Sequence, residues 1–168
     1  YYTVKGTYQM TKNNQLIGYI NTREKHQTLR YLSPLRPVSA AAFQISGSTW
    51  SKVEWTSILP HAFLDVLVGQ WYQFYPERPT WEGGLYPKDK FQPGRIELTT
   101  GQYMDGGASD GYQDQKRPKP QVNASLSFFQ DMWGGSHDFK IGLEYWRDRN
   151  NRKRDQPFNI FYRDRNGR

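Results

Sequence analysis

Three histidines, three loop aspartates, a cluster of basic residues and an aromatic loop are the places in this 168-residue chain whose residue types could do chemistry. His26, His61 and His137 are expected in separate loops and turns, with no carboxylate at ligand spacing on a shared strand face, so they make a poor metal site. Asp105, Asp110 and Asp114 lie in a glycine-rich stretch that faintly suggests a calcium loop, but their spacing does not supply the alternating oxygen ligands of an EF-hand. A flexible polar loop explains them more simply. No Ser/His/Asp or Cys/His order stands in a nucleophile context, no phosphate-binding loop is present, and Gly101 and Gly106-Gly107 read as turn glycines. The expectation is a protein that is not an enzyme and uses no cofactor.

Two surfaces could instead bind something. Arg147, Arg149, Arg152, Lys153 and Arg154 place five basic residues within eight positions. Guanidinium groups clamp phosphates in bidentate fashion, so such a loop beside a membrane strand would meet the phosphates of lipopolysaccharide. A plain solvated loop is the competing explanation. Nucleic acid is not expected, because a nucleic-acid surface interleaves charge with stacking rings and only Trp146 stands at this loop's edge. The second surface is a proline-rich loop carrying Trp81, Tyr86 and Phe91. Its rings could stack on the apolar face of a carbohydrate or peptide ligand, or could pack the loop onto its neighbours.

The elements that must carry these residues follow from composition and period. Hydrophobic residues make up 36% of the chain, low for a globular domain, while aromatics reach 16%, too many for a disordered one. That combination suits a structure with one apolar and one wet face. The net charge of +7 and pI near 9.6 admit nucleic acid, an anionic membrane surface or an acidic ligand as partners. The absence of cysteine excludes disulfides and thiolate metal sites, and no apolar run is long enough for a transmembrane helix.

Residues 2–10 alternate: Tyr2, Val4, Gly6, Tyr8 and Met10 fall on one face, Thr3, Lys5, Thr7 and Gln9 on the other. A turn at Thr11-Lys12-Asn13-Asn14 leads to a second strand over 15–25. Further strands are expected over 47–58, 62–75, 95–104, 121–132, 137–146 and 157–163, with irregular stretches at 26–46, 76–94, 105–120 and 147–155. Short turns and long loops nearly alternate along the chain, and strands of about ten residues cross a bilayer at a tilt. Lys5, Lys52, Glu54, Asp65, Lys140 and Glu144 all sit mid-strand on the polar face, where opposite charges on adjacent strands could pair. Tyr2, Tyr72, Phe74, Trp133 and Tyr145 stand near strand ends, as interfacial girdles require. The expected fold is all-β: about eight antiparallel, meandering strands forming part of a transmembrane β-barrel wall.

The segment Val122-Asn123-Ala124-Ser125-Leu126-Ser127-Phe128-Phe129, followed by Gly134-Gly135-Ser136-His137-Asp138-Phe139-Lys140-Ile141-Gly142-Leu143-Glu144-Tyr145, resembles a hairpin of Oar-like TonB-dependent outer-membrane receptors. These proteins carry a carboxypeptidase-regulatory-like domain ahead of plug and barrel. Tyr2-Thr3-Val4-Lys5-Gly6-Thr7-Tyr8-Gln9 with Asn14-Gln15-Leu16-Ile17-Gly18-Tyr19, and Arg95-Ile96-Glu97-Leu98-Thr99-Thr100-Gly101, are similar to other strands of that barrel. The resemblance implies that residues 1–168 are a partial barrel domain, roughly a third of a wall of about 22 strands. It also implies residence in the cell outer membrane, uptake of an unknown extracellular ligand, and energy from TonB through a plug that this chain lacks. The strand-like opening at Tyr1-Tyr2-Thr3-Val4 and the ending Asn166-Gly167-Arg168, without a terminal aromatic, fit a fragment better than a complete eight-stranded barrel. The alternative from another class is a soluble secreted or periplasmic all-β binding module with a basic face.

Overall fold

The computed structural model describes residues 1–104, 112–132 and 134–167. It is all-β: β1 (Tyr2–Thr11), β2 (Asn14–Arg30), β3 (Ala42–Leu59), β4 (Ala62–Phe74), β5 (Glu77–Pro79), β6 (Gly94–Glu97), β7 (Tyr103–Met104), β8 (Tyr112–Met132), β9 (Gly135–Trp146), β10 (Asn151–Asp155) and β11 (Phe161–Asp164). One sheet runs in the order β1-β2-β3-β4-β8-β10, with β5 on β3 and β9 on β8. Its described registers are all antiparallel. Among the described residues this sheet is open, with β1 at one side and β9 and β10 at the other. A second, three-stranded sheet has the order β11-β6-β7, and there β11 runs parallel to β6, against the expectation of a purely antiparallel meander.

The chain divides into two compact units. The first comprises Tyr1–Arg23, Ser48–Gln73 and Arg117–Arg149. Its first hairpin closes where turn chemistry predicts: the Thr11 hydroxyl accepts hydrogen bonds from the Asn13 backbone N–H (3.3 Å) and the Asn14 side-chain amide (2.8 Å). Val4 lies opposite Ile20, Tyr8 opposite Leu16, Leu126 opposite Ile141 and Ala124 opposite Leu143, so the apolar alternation of each strand adds to that of its partner. The other face is polar. There Asn21 donates to the Thr3 hydroxyl (2.7 Å) and the Thr56 hydroxyl to Asp65 (2.8 Å). Lys52 pairs with Glu54 (2.7 Å) along its own strand, not across to a neighbouring one as expected.

Several boundaries differ from the sequence expectation. β2 continues to Arg30 and β3 starts at Ala42, so the irregular stretch around Pro34 and Pro37 is shorter than 26–46. Backbone pairing extends these strands through residues whose side chains no longer alternate. His26 and His137 are therefore strand residues, and His26 does share a face with a carboxylate, Glu24, to which it is hydrogen-bonded. β8 begins at Tyr112 and carries Pro118 and Pro120 within it, where a loop was expected. Of the charged stretch Arg147–Asp155, expected as a loop, Asn151–Asp155 is strand. Arg147 N–H donates to the Pro120 carbonyl (3.1 Å) and Arg149 N–H to that of Pro118 (3.3 Å), and β10 then pairs with β8 in the register that β9 began. Each proline accepts but cannot return a hydrogen bond, which halves the ladder there and breaks one long strand into β9 and β10. The strand expected over 157–163 is a turn at Pro157–Asn159 followed by β11. Asp105, Asp110, Gly106, Gly107 and Trp133 lie outside the described residues.

The second unit comprises Glu24–Gly47, Phe74–Lys116 and Asn150–Arg168. Here a core exists: Ala42, Phe91 and Tyr112 are buried, with Trp81 and Tyr86 packed against them. Glu77, 4% exposed, is held by an ion pair to Arg30 (3.2 Å), by the Tyr31 hydroxyl (2.9 Å) and by the Gln44 amide (3.1 Å). Elsewhere in the unit Glu97 accepts backbone N–H bonds from Thr99 (3.0 Å), Gly167 (3.1 Å) and Asn166 (3.1 Å), which hold its carboxyl below the usual carboxylate range. Removing one partner of a buried ion leaves an uncompensated charge. Arg30→Ala should therefore destabilise this unit by about 3 kcal/mol or more. Urea unfolding followed by near-ultraviolet circular dichroism checks this, with Leu98→Ala at an exposed position as the control, expected within about 0.5 kcal/mol of wild type.

Candidate functional site: an aromatic cleft

The cleft lies wholly within the second unit and encloses about 590 Å³. Phe91 is its pivot. Trp81 and Tyr86 meet the Phe91 ring edge-on, each with centroids 6.5 Å away, and Tyr112 lies tilted beside it at 6.5 Å. Phe158 stacks over Phe91 at 6.4 Å with planes 27° apart. Trp81, Phe91, Tyr112 and Phe158 line the cleft; Tyr86 supports it from behind Phe91. The aromatic loop packs onto its neighbours, one of the two roles its sequence allowed. Its rings pack against one another, and two of the three also face an open volume.

Local sequence fixes the walls. After β5 the chain turns tightly, with Glu82 N–H donating to Pro79 (3.0 Å), Gly84 N–H to Trp81 (3.1 Å) and Leu85 N–H to Thr80 (3.0 Å). A Cβ at Gly83 would stand 2.9 Å from the Phe43 ring, and Gly84 adopts φ +69°, so this turn needs both glycines. The opposite wall is the Pro157–Asn159 turn, where Phe158 (φ 60°) and Asn159 (φ 57°) occupy the left-handed region. A left-handed conformation is uncommon for a bulky side chain. Phe158 is 58% exposed, so its stack on Phe91 covers only part of the ring.

Charge surrounds the rings in nearly balanced form. Arg78 bridges Asp114 (2.6 Å) and Glu82 (3.6 Å), the Lys88 ammonium lies 4.7 Å from the Trp81 ring centroid, and Asp155 pairs with Lys153 (3.3 Å). Asp114 is thus engaged with Arg78. Among the described residues, no group of three or more His, Asp or Glu could hold a metal ion.

The basic cluster is not gathered on one surface. Arg147 and Arg149, in the first unit, lie opposite Pro120 and Pro118 on the side of the strand that Tyr145 occupies. In the second unit Arg152 and Arg154 pair in register with Gln115 and Gln113, and Arg152 is hydrogen-bonded to Gln113. Lys153 falls opposite Asp114, on the other face. All five side chains are exposed.

Sequence reasoning found Trp81 and Phe91 but missed Phe158, Tyr112 and Arg78. Gln156-Pro157-Phe158-Asn159 has the composition of a turn, which was the available signal. Nothing local announces that Tyr112 lies beside Phe91. No protein-family model, curated protein or solved structure matches this chain.

The Tyr112 hydroxyl is buried without a hydrogen-bond partner among the described residues. A buried unsatisfied hydroxyl costs stability that removing it returns. Tyr112→Phe should be neutral or stabilising by about 1 kcal/mol in a urea-unfolding measurement. A loss of that size would instead reveal a partner for the hydroxyl.

Proposed function

We propose that the first unit is a section of an outer-membrane β-barrel wall, and that the chain is part of a TonB-dependent receptor that takes up an extracellular ligand. One observation carries the reading: among the described residues the first unit fully buries no apolar side chain, only Ser48, Ser57 and Gln73, while residues such as Leu16, Leu64 and Leu126 are half-buried. Its apolar face, by contrast, is open, with Val4, Val53, Val68, Ile141 and Leu143 each between 49% and 69% exposed. A sheet in water covers such a face with a second layer, whereas in a bilayer the acyl chains cover it. The polar face would border a wet lumen, and ladders of Thr, Asn, Lys and Glu suit it.

The likeness of the hairpins to Oar-like receptors supplies the particular class, and with it TonB as partner through a plug outside this chain. Closure of the wall would require further strands beside β1 and beyond β9. Arg147 and Arg149, directly after the exposed Tyr145, are the basic residues best placed for lipopolysaccharide phosphates.

Arginine substitution tests the assignment of faces. In liposome-reconstituted protein, Ile141→Arg should cost about 2–4 kcal/mol, as expected for a basic residue facing lipid near the midplane. Thr7→Arg, on the polar face, should cost far less. Ile141 is 65% exposed, so on a water-soluble sheet its replacement would change stability by no more than about 0.5 kcal/mol. Equally small losses at both positions would favour the soluble binding module.

A further inference from the structure

We infer that the aromatic cleft of the second unit binds a neutral carbohydrate, a glycan end of about one or two sugar rings, stacked against Phe158 and Trp81. The inference stands on the second unit alone and does not depend on a membrane around the first.

Three features select this chemistry. The first is size: about 590 Å³ lies within the range of small-ligand pockets and suits one or two pyranose rings. The second is the ring of Phe158, which stacks on Phe91 yet remains 58% exposed and is presented from a left-handed backbone. Strained residues of this kind cluster where a ligand is held. A pyranose offers an apolar C–H face to such a ring and hydroxyls around its rim.

The third is charge. Two cations and three carboxylates line the cleft, and Arg78 already bridges two of the carboxylates. Neither sign has a large surplus, and among the described lining charges only Lys88 stands outside an ion pair, over the Trp81 ring. A polyol needs both acceptors and donors and gains from Glu82, Asp155 and Arg78 without displacing them. The face of Trp81 is at present covered by Lys88, whose long flexible stem can swing aside for a sugar. A peptide fits less well. The walls are turns and side chains, not a free strand edge along which a peptide backbone could pair.

The test is retention of the purified full-length protein on an immobilised panel of neutral oligosaccharides, with tetralysine and choline as cationic probes and a random-sequence peptide pool alongside. The expected result is retention by at least one neutral glycan, competed by the same free sugar. Phe158→Ala and Trp81→Ala should each weaken it on the order of tenfold, while Phe158→Tyr keeps it. Phe158 is exposed, so its replacement leaves the fold intact, and the near-ultraviolet circular dichroism of the variant verifies this. Retention by the cationic probes or peptides alone would overturn the proposal. So would the absence of any glycan binding, or binding indifferent to both substitutions.

Discussion

A β-strand turns successive side chains to opposite sides, and a sheet inherits that period of two across its whole width. In the first unit the registers stack like on like: Val4 against Ile20, Leu126 against Ile141, Phe128 against Phe139 with rings 5.1 Å apart. The consequence is one apolar face and one polar face, and among the described residues of the unit no apolar side chain is fully buried. Hydrophobic burial contributes about 25 cal/mol per Å² to a folded state, and the exposed side chains of this face contribute little of it within the unit.

The second unit obeys different physics. Its apolar residues converge on Phe91 and Ala42, and its most buried carboxylates are paired or hydrogen-bonded: Glu77 by Arg30, Tyr31 and Gln44, Asp164 by Arg95 (2.9 Å), Glu97 by three backbone N–H groups. These contacts hold the unit together from within. Rigid packing around Phe91 is also what allows Trp81 and Phe158 to be presented at fixed positions, since a ring can act as a binding platform only where its neighbours hold it.

The long strands and their faces were legible because alternation is a local property of sequence. β1, β4 and β9 begin and end within two residues of their expected positions, and every face assignment within them agrees with the observed pairing where a register is described. The errors share a cause. Residues 26–30, 112–120 and 151–155 are polar, proline-bearing or densely charged, and they are strands because a partner strand pairs with them, not because their own pattern demands it. The cleft was half legible. Trp81 and Phe91 stood out as rings in a proline-rich loop, whereas Phe158 and Tyr112 join them only through contacts between residues far apart in the chain. The five basic residues read as one patch in sequence, and strand geometry divides them between faces.

The most direct measurement places single nitroxide labels from Asp138 to Tyr145 along β9 in protein reconstituted into liposomes, and reads each label's accessibility to molecular oxygen and to a water-soluble nickel chelate. A membrane wall gives a strict alternation: oxygen dominates at Phe139, Ile141, Leu143 and Tyr145, and the chelate at Asp138, Lys140, Gly142 and Glu144. High chelate accessibility at all eight positions, with no period of two, would contradict a lipid-facing sheet.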